Sequence, residues 1–461
     1  MTIRTYDDAL AFLYSFVDYS TARSYRYSPD VLDLGRVRDL LLRLDNPQEA
    51  FASIHVAGTK GKGSVSSFIA SALKHSGFRT GLYTSPHLQR FTERIVVDGA
   101  EISQKEFIAL ANQVQPAVEA VGGLTVYEIM TAIAFLHFQK VKVDFAVIEV
   151  GLGGRLDATN VIMPAVAVIT SLSYDHMHLL GDSLSDIAYE KGGIIKPGVP
   201  VVLAPQQYEA EQVLLRLAEE RHAPVIQVGK DVHYAPGSHS LDGQVVQFWS
   251  NTEQEMMDRY VESAGVEEWA PARFRIPLLG YHQVINSAVA YATLQQLIQQ
   301  NFAISQAAIS EGFGEVRWEG RFQILSREPI VVLDSAHNRD SALKLRIALD
   351  DYFPGQPVSM VFGASADKDI EGMLAELSPR ISRIIITQAA HPRAADPESL
   401  ERIARGFGLR AECINPPEDA FATAFRRVAP GEVILATGSI FVVGEILAYW
   451  SRMQDKGSGW S

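Results

Sequence analysis

His55-Val56-Ala57-Gly58-Thr59-Lys60-Gly61-Lys62-Gly63-Ser64 joins a short apolar run to a stretch with helical spacing. Ser53–Val56 reads as a buried strand, Ser64–Ser76 as a helix, and Gly77 as its C-cap. A glycine-rich turn between strand and helix brings backbone close to a ligand without a Cβ in the way. Its successive N–H groups can cup phosphate oxygens, and the helix N-terminus adds partial positive charge. In such a turn Lys62 lies against the β- and γ-phosphates and the Ser64 hydroxyl ligates magnesium. The strict pattern G-x-x-x-x-G-K-[ST] is not met: Gly63 separates Lys62 from Ser64, and Val56 stands where the first glycine would be. The expected ATP contacts are Gly58, Thr59, Lys60, Gly61, Lys62, Gly63 and Ser64. The plain alternative is a surface turn with solvated lysines.

Further apolar runs follow the same alternation. Phe145–Val150 reads as a strand ending in Gly151-Leu152-Gly153-Gly154, and Val166–Thr170 and Val201–Ala204 as two more. Residues 228–278 carry alternating apolar positions, as in Gln244-Val245-Val246-Gln247-Phe248-Trp249, and read as a hairpin-rich insertion. Asn286–Gln300 reads as a helix. A second series has strands at Ile330–Asp334, Val358–Phe362, Arg383–Thr387 and Glu432–Ala436. The alternation predicts an α/β protein: a P-loop-type, mostly parallel sheet domain over 1–302 and a smaller Rossmann-like α/β domain over 303–461. The join lies between about Asn301 and Arg317, although no Pro- or Ser-rich linker marks it.

The net charge of −13 excludes a global basic field for nucleic acid, so an anion must be bound by a local cluster of cations and amides. Cys413 is the single cysteine, so no internal disulfide forms. The polar start Met1–Asp8 lacks the pattern of a secretion signal. No run of about 18 uncharged apolar residues suggests a membrane span. The tail Gln454–Ser461 carries no motif. A cytoplasmic monomer with small-molecule substrates, and neither nucleic acid nor membrane as partner, is the expectation.

Beyond the loop, several motifs occur in a fixed order. They are Tyr83-Thr84-Ser85-Pro86-His87-Leu88 with Glu93-Arg94-Ile95; Glu149-Val150-Gly151-Leu152-Gly153-Gly154-Arg155-Leu156-Asp157-Ala158-Thr159-Asn160; and Asp175-His176 with Glu190-Lys191-Gly192-Gly193-Ile194. Later come Gly320-Arg321-Phe322, Asp334-Ser335-Ala336-His337-Asn338 and Thr437-Gly438-Ser439. Together these resemble the folylpolyglutamate synthase and dihydrofolate synthase family of the Mur ligase superfamily, over nearly the whole chain. Four positions depart from the family pattern: Lys60 in the loop, Gly192 for Ala, Glu319 for Pro, and Ser335 for Gly.

The resemblance implies a set of roles. Glu149 would join Ser64 around one magnesium ion, and His176 would bind a second, with Lys191 contributing if CO₂ carbamylates it. Lys62 and Arg321 would offset charge on the transferring phosphoryl group. Asn286 would lie near the adenine and Asp334 near the ribose. Ser85, His87, Arg155, Asp157 and Asn160 would line the pterin-bearing substrate, and His337 the incoming glutamate. Arg321 and His337 would complete the site on domain closure. The plain alternatives are an Asx turn at 157–160 and a surface ion pair for Lys191.

The implied activity is ATP-dependent addition of L-glutamate to folate or dihydropteroate through an acyl phosphate. The catalytic residues would be Lys62, Lys191, Arg321 and His337. Rival readings are a Mur-type ligase with another acceptor, a monofunctional folylpolyglutamate synthase, and a P-loop NTPase without acceptor.

Overall fold

The computed structural model describes residues 2–18, 27–266 and 269–455; Met1 and the tail beyond 455 lie outside them. The chain forms two compact units. The first takes the described residues of Met1–Ser238, Gln244–Pro277 and Gln283–Val316, and the second those of His239–Gly243, Leu278–His282 and Arg317–Ser461.

The first unit is built on eight strands: β1 (Ala52–Ala57), β2 (Thr80–Tyr83), β3 (Ile95–Val97), β4 (Ala100–Glu101), β5 (Phe145–Glu149), β6 (Val166–Ile169), β7 (Val201–Leu203) and β8 (Val225–Gln227). Their order is β4-β3-β2-β5-β1-β6-β7-β8. From β2 to β8 every pairing is parallel, and β3 and β4 add an antiparallel edge. The central strands β1, β5 and β6 are buried on both faces because helices cover both sides. Helices Gln104–Val121 and Val126–Val141 contribute to the apolar core on one face, and Leu184–Gly192 and Tyr208–Glu220 to that on the other.

The expected insertion is an antiparallel sheet of β9 (Val232–Ser240), β10 (Gly243–Ser250) and β11 (Ala272–Ile276), in the order β11-β10-β9. The helix expected at Asn286 starts five residues earlier, as Tyr281–Gln299 behind Gly280 at φ +94°.

The expected division after residue 302 falls before a helix, Gln306–Glu315, that belongs to the first unit. Gly312 sits so close to the Ala72 backbone that a Cβ there would overlap it, and the Phe313 ring is 4.9 Å from that of Phe68. Burying two phenylalanines contributes about 2–3 kcal/mol each. The helix therefore stays with Lys62–His75, and the division falls at 316/317.

The second unit has six strands: β12 (Gln323–Arg327), β13 (Ile330–Leu333), β14 (Val358–Phe362), β15 (Ile381–Ile386), β16 (Ala411–Cys413) and β17 (Val433–Thr437). Their order is β12-β13-β17-β14-β15-β16, all parallel except the edge strand β12. Its apolar core includes Leu241 and Leu279 from earlier in the chain.

Candidate active site

Strand register sets the site. Val56 lies opposite Glu149, and Ala57 opposite Ile169. The carboxyl ends of β5, β1 and β6 therefore bring Glu149–Gly154, Gly58–Ser64 and Thr170–His176 to one edge of the sheet, the usual place for ligands in open α/β sheets.

The helix after the loop starts at Lys62, two residues before the sequence expectation. Its N-cap is Gly61 at φ +88°, with no side-chain cap. The amides of Lys62, Gly63 and Ser64 are first-turn donors that no intrahelical carbonyl reaches. A Cβ on Gly61 would overlap Asn286 Oδ1, and one on Gly58 would overlap the Thr170 hydroxyl. The loop differs from the expected cup in one respect. The Thr59 and Lys60 amides donate to the Ser171 carbonyl at 3.0 and 3.1 Å, so they hold the loop to the segment after β6.

Lys62 Nζ lies 3.9 Å from Glu149 Oε1 and donates to the Gly58 carbonyl at 3.2 Å. Glu149 is buried, and its Oε2 accepts from the Ser85 amide at 3.2 Å. Ser64 is buried in the first helical turn. Lys60 Nζ donates to Asp175 Oδ2 at 3.0 Å, and Asp175 Oδ1 accepts the His176 amide at 3.0 Å. His176 adopts the left-handed conformation, φ +52°.

Lys191 is 5% exposed, so the surface-pair alternative does not describe it. Burial pushes its ammonium down to about 7; the Lys62 and Lys60 charges act in the same direction and Asp175 opposes them. Its neighbour Glu190 instead takes Arg155 in a two-pronged ion pair at 2.8 and 3.1 Å. Asp157 is buried in an Asx turn, accepting from the Thr159 amide and hydroxyl and from the Leu152 amide. Burial raises its carboxyl above the usual range, opposed by these donors. Asn160 donates to the Arg155 and Gly193 carbonyls. The geometry at 157–160 is thus that of a tightly bonded turn, and Arg155 is engaged by Glu190. His87 Nδ1 accepts from Arg94 Nε at 3.0 Å. Gly192, one of the departures, has a packing reason: a Cβ there would press on Leu217 Cδ1.

In the second unit, Asp334 follows β13 and accepts from the Phe322 and Ala336 amides, each at 2.8 Å. Desolvation pushes its carboxyl up and the Arg321 charge opposes this. Its carboxylate thereby clasps the Gly320-Arg321-Phe322 turn. The His337 Nδ1–H donates to the Ser335 carbonyl at 2.9 Å, which directs the tautomer.

Sequence reasoning did not find the Lys60–Asp175 pair, nor two tyrosines. Tyr127 fills the space a Cβ on Gly151 would need, and Tyr27 does so at Gly153. The glycines themselves were the signal: each marks a place where a ring lies against backbone.

Oxygen donors at Ser64 and Glu149 suit magnesium, which binds through one or two carboxylates plus waters and phosphates. Among the described residues no three His, Cys, Asp or Glu gather as a metal site.

The Mur ligase middle-domain model matches residues 56–294, and the model for the Mur ligase glutamate ligase domain matches residues 320–440. The chain is 37% identical over 425 residues to the dihydrofolate synthase/folylpolyglutamate synthase of Bacillus subtilis, covering 90% of this chain and 94% of that one. It is similar to Mycobacterium tuberculosis folylpolyglutamate synthase complexed with ADP and AMPPCP, with a TM-score of 0.82 at 31% identity over 96% of this chain and 99% of that one. It is also similar to Escherichia coli FolC in complex with DHPP and ADP, with a TM-score of 0.83 at 27% identity over 98% and 99%. The chain belongs to the folylpolyglutamate synthase/dihydrofolate synthase family of Mur ligases.

Proposed function

We propose that this protein is an ATP-dependent ligase that joins L-glutamate to a folate or pteroate carboxylate, acting as both dihydrofolate synthase and folylpolyglutamate synthase. One observation carries the reading. A lysine from an uncapped helix N-terminus, Lys62, faces a buried carboxylate, Glu149, across the ends of two adjacent parallel strands. That arrangement suits a nucleotide's terminal phosphates and their counter-ion.

In this reading the acceptor carboxylate attacks the γ-phosphorus of ATP. A P–O bond forms, the β–γ bridge breaks, and ADP leaves. The glutamate amine then attacks the acyl carbon, a C–N bond forms, phosphate leaves, and the amine loses a proton. Magnesium, held by Ser64 and Glu149 with His176 and a carbamylated Lys191 toward a second ion, would neutralise charge on the phosphoryl group. Lys62 and the first-turn amides orient the β- and γ-phosphates. Asn286, against Gly61, is assigned to the base. Arg321 is assigned to the γ-phosphate, Asp334 to the ribose, and His337 to the glutamate. Ser85, His87, Arg155, Asp157 and Asn160 shape the acceptor side, the last three through the turn they build. Among the described residues no helix is long and apolar enough to cross a membrane. A cytoplasmic monomer completes the proposal.

The test supplies purified protein with ATP, magnesium and labelled glutamate, with dihydropteroate and tetrahydrofolate in separate reactions. Labelled product with both acceptors, and phosphate release that requires an acceptor, is the expected result. Phosphate release without acceptor, and no label in either product, would overturn the assignment. Product from tetrahydrofolate alone would leave a monofunctional enzyme.

A further inference from the structure

Building on the ligase reading, we propose that Lys60 is a positioning residue: its ion pair with Asp175 pins the turn that presents His176 against the phosphate loop. Among the described residues, four bonds tie Thr59 and Lys60 to the segment after β6. Three run from the two amides to the Ser171 carbonyl and from the Thr59 hydroxyl to the Ser173 carbonyl at 3.2 Å. Those three need no particular side chain at position 60. The fourth, Lys60 Nζ to Asp175 Oδ2 at 3.0 Å, depends on it entirely.

The pair is not a screened surface contact, since its side chains are 14% and 8% exposed. It acts on a turn that the chain does not favour unaided. His176 holds a left-handed backbone conformation, which costs a non-glycine residue about 1–2 kcal/mol. The same carboxylate that takes Lys60 on one oxygen takes the His176 amide on the other. Lys60 therefore reaches His176 through a single rigid group. The charges of Lys60 and Asp175 also act on buried Lys191, in opposite directions. Position 60 is the variable position of the loop the resemblance rests on, and this chain fills it with a lysine. The chain thus links nucleotide contacts on one side of the loop to His176 on the other.

The full-length protein is compared with Lys60→Met, Lys60→Arg, Asp175→Asn and the double variant Lys60→Met/Asp175→Asn. Thermal unfolding, ADP affinity by calorimetry, and kcat and KM for ATP are measured in each. The His176 ring signal is followed by NMR with labelled histidine and assigned by its loss in His176→Gln. Lys60→Met and Asp175→Asn should each lower kcat by about 10–100-fold, and the double variant should be no worse than either. The His176 signal should move in both single variants and return with Lys60→Arg. Should Lys60→Met not fold, Asp175→Asn and Lys60→Arg still read the same coupling.

Weaker ADP binding in Lys60→Met with no effect of Asp175→Asn would overturn the inference in favour of a direct phosphate contact. An unmoved His176 signal, or additive losses in the double variant, would overturn it as well. Loss of ligation in the unsubstituted protein would instead sink the ligase reading itself, while the NMR and ADP measurements still test the latch.

Discussion

Glu149→Gln separates the chemistry of the site from its stability. The carboxylate is buried at the end of β5, 3.9 Å from Lys62 Nζ. Two unit charges at 3.9 Å attract by about 4 kcal/mol at an effective dielectric near 20. That attraction is opposed by the cost of keeping two ions out of water, so the net contribution to folding is far smaller. Glutamine keeps the shape and still accepts the Ser85 amide, and Lys62 keeps the Gly58 carbonyl. The variant should lose no more than about 1–2 kcal/mol, which lowers Tm by only a few degrees in a chain of this size. Ligation should fall by at least about 100-fold, because a fixed negative group facing the phosphate counter-ion is gone. Phosphate release and labelled glutamate incorporation read the first effect, and scanning calorimetry the second. Full activity in Glu149→Gln would refute the placement of the site, and collapse of the fold would refute the energetic reasoning.

Lys191 supplies a pH test. Its folded-state value near 7 lies below the ordinary 10.5, so between those limits the unfolded chain binds a proton that the folded chain does not. Stability should therefore rise with pH across that window, by up to about 1.4 kcal/mol per pH unit. Urea titrations without metal or CO₂ should show that contribution missing in Lys191→Met. Gly61→Ala should weaken ADP binding at least about tenfold by calorimetry, since it meets both a left-handed backbone and Asn286. Gly192→Ala, which restores the family's residue, should destabilise this chain by about 1–3 kcal/mol in urea through overlap with Leu217. Leu217→Val added to it should return most of that loss.

The strands flanking the loop were legible because each is an apolar run closed by glycine or a polar turn. The helix start was misread by two residues, because Lys62-Gly63 looks like loop. A first helical turn needs only helical dihedrals, not donors bonded within the helix, so glycine fits there. Strand β9 was hard to read because it contains Pro236 and Gly237, residues that weaken a strand interior; it lies at the sheet edge, where proline is tolerated. What the sequence could not reveal are pairs distant along the chain. Lys60 finds Asp175 115 positions away, and Arg155 finds Glu190 35 positions away. Nothing in local spacing distinguishes those partners from other charges.

The path of the chain through its two units has a practical consequence. The polypeptide crosses from one to the other after Ser238, Gly243, Pro277, His282 and Val316. A fragment beginning at Arg317 would lack Leu241 and Leu279, which belong to its apolar interior. Expressed alone, that piece would expose a gap where those side chains pack, and the remainder would carry two orphaned loops. Dissecting the protein into halves at a single cut is therefore a poor route to working parts, whereas a graft that carries residues 239–243 and 278–282 along with 317 onward keeps the second interior whole.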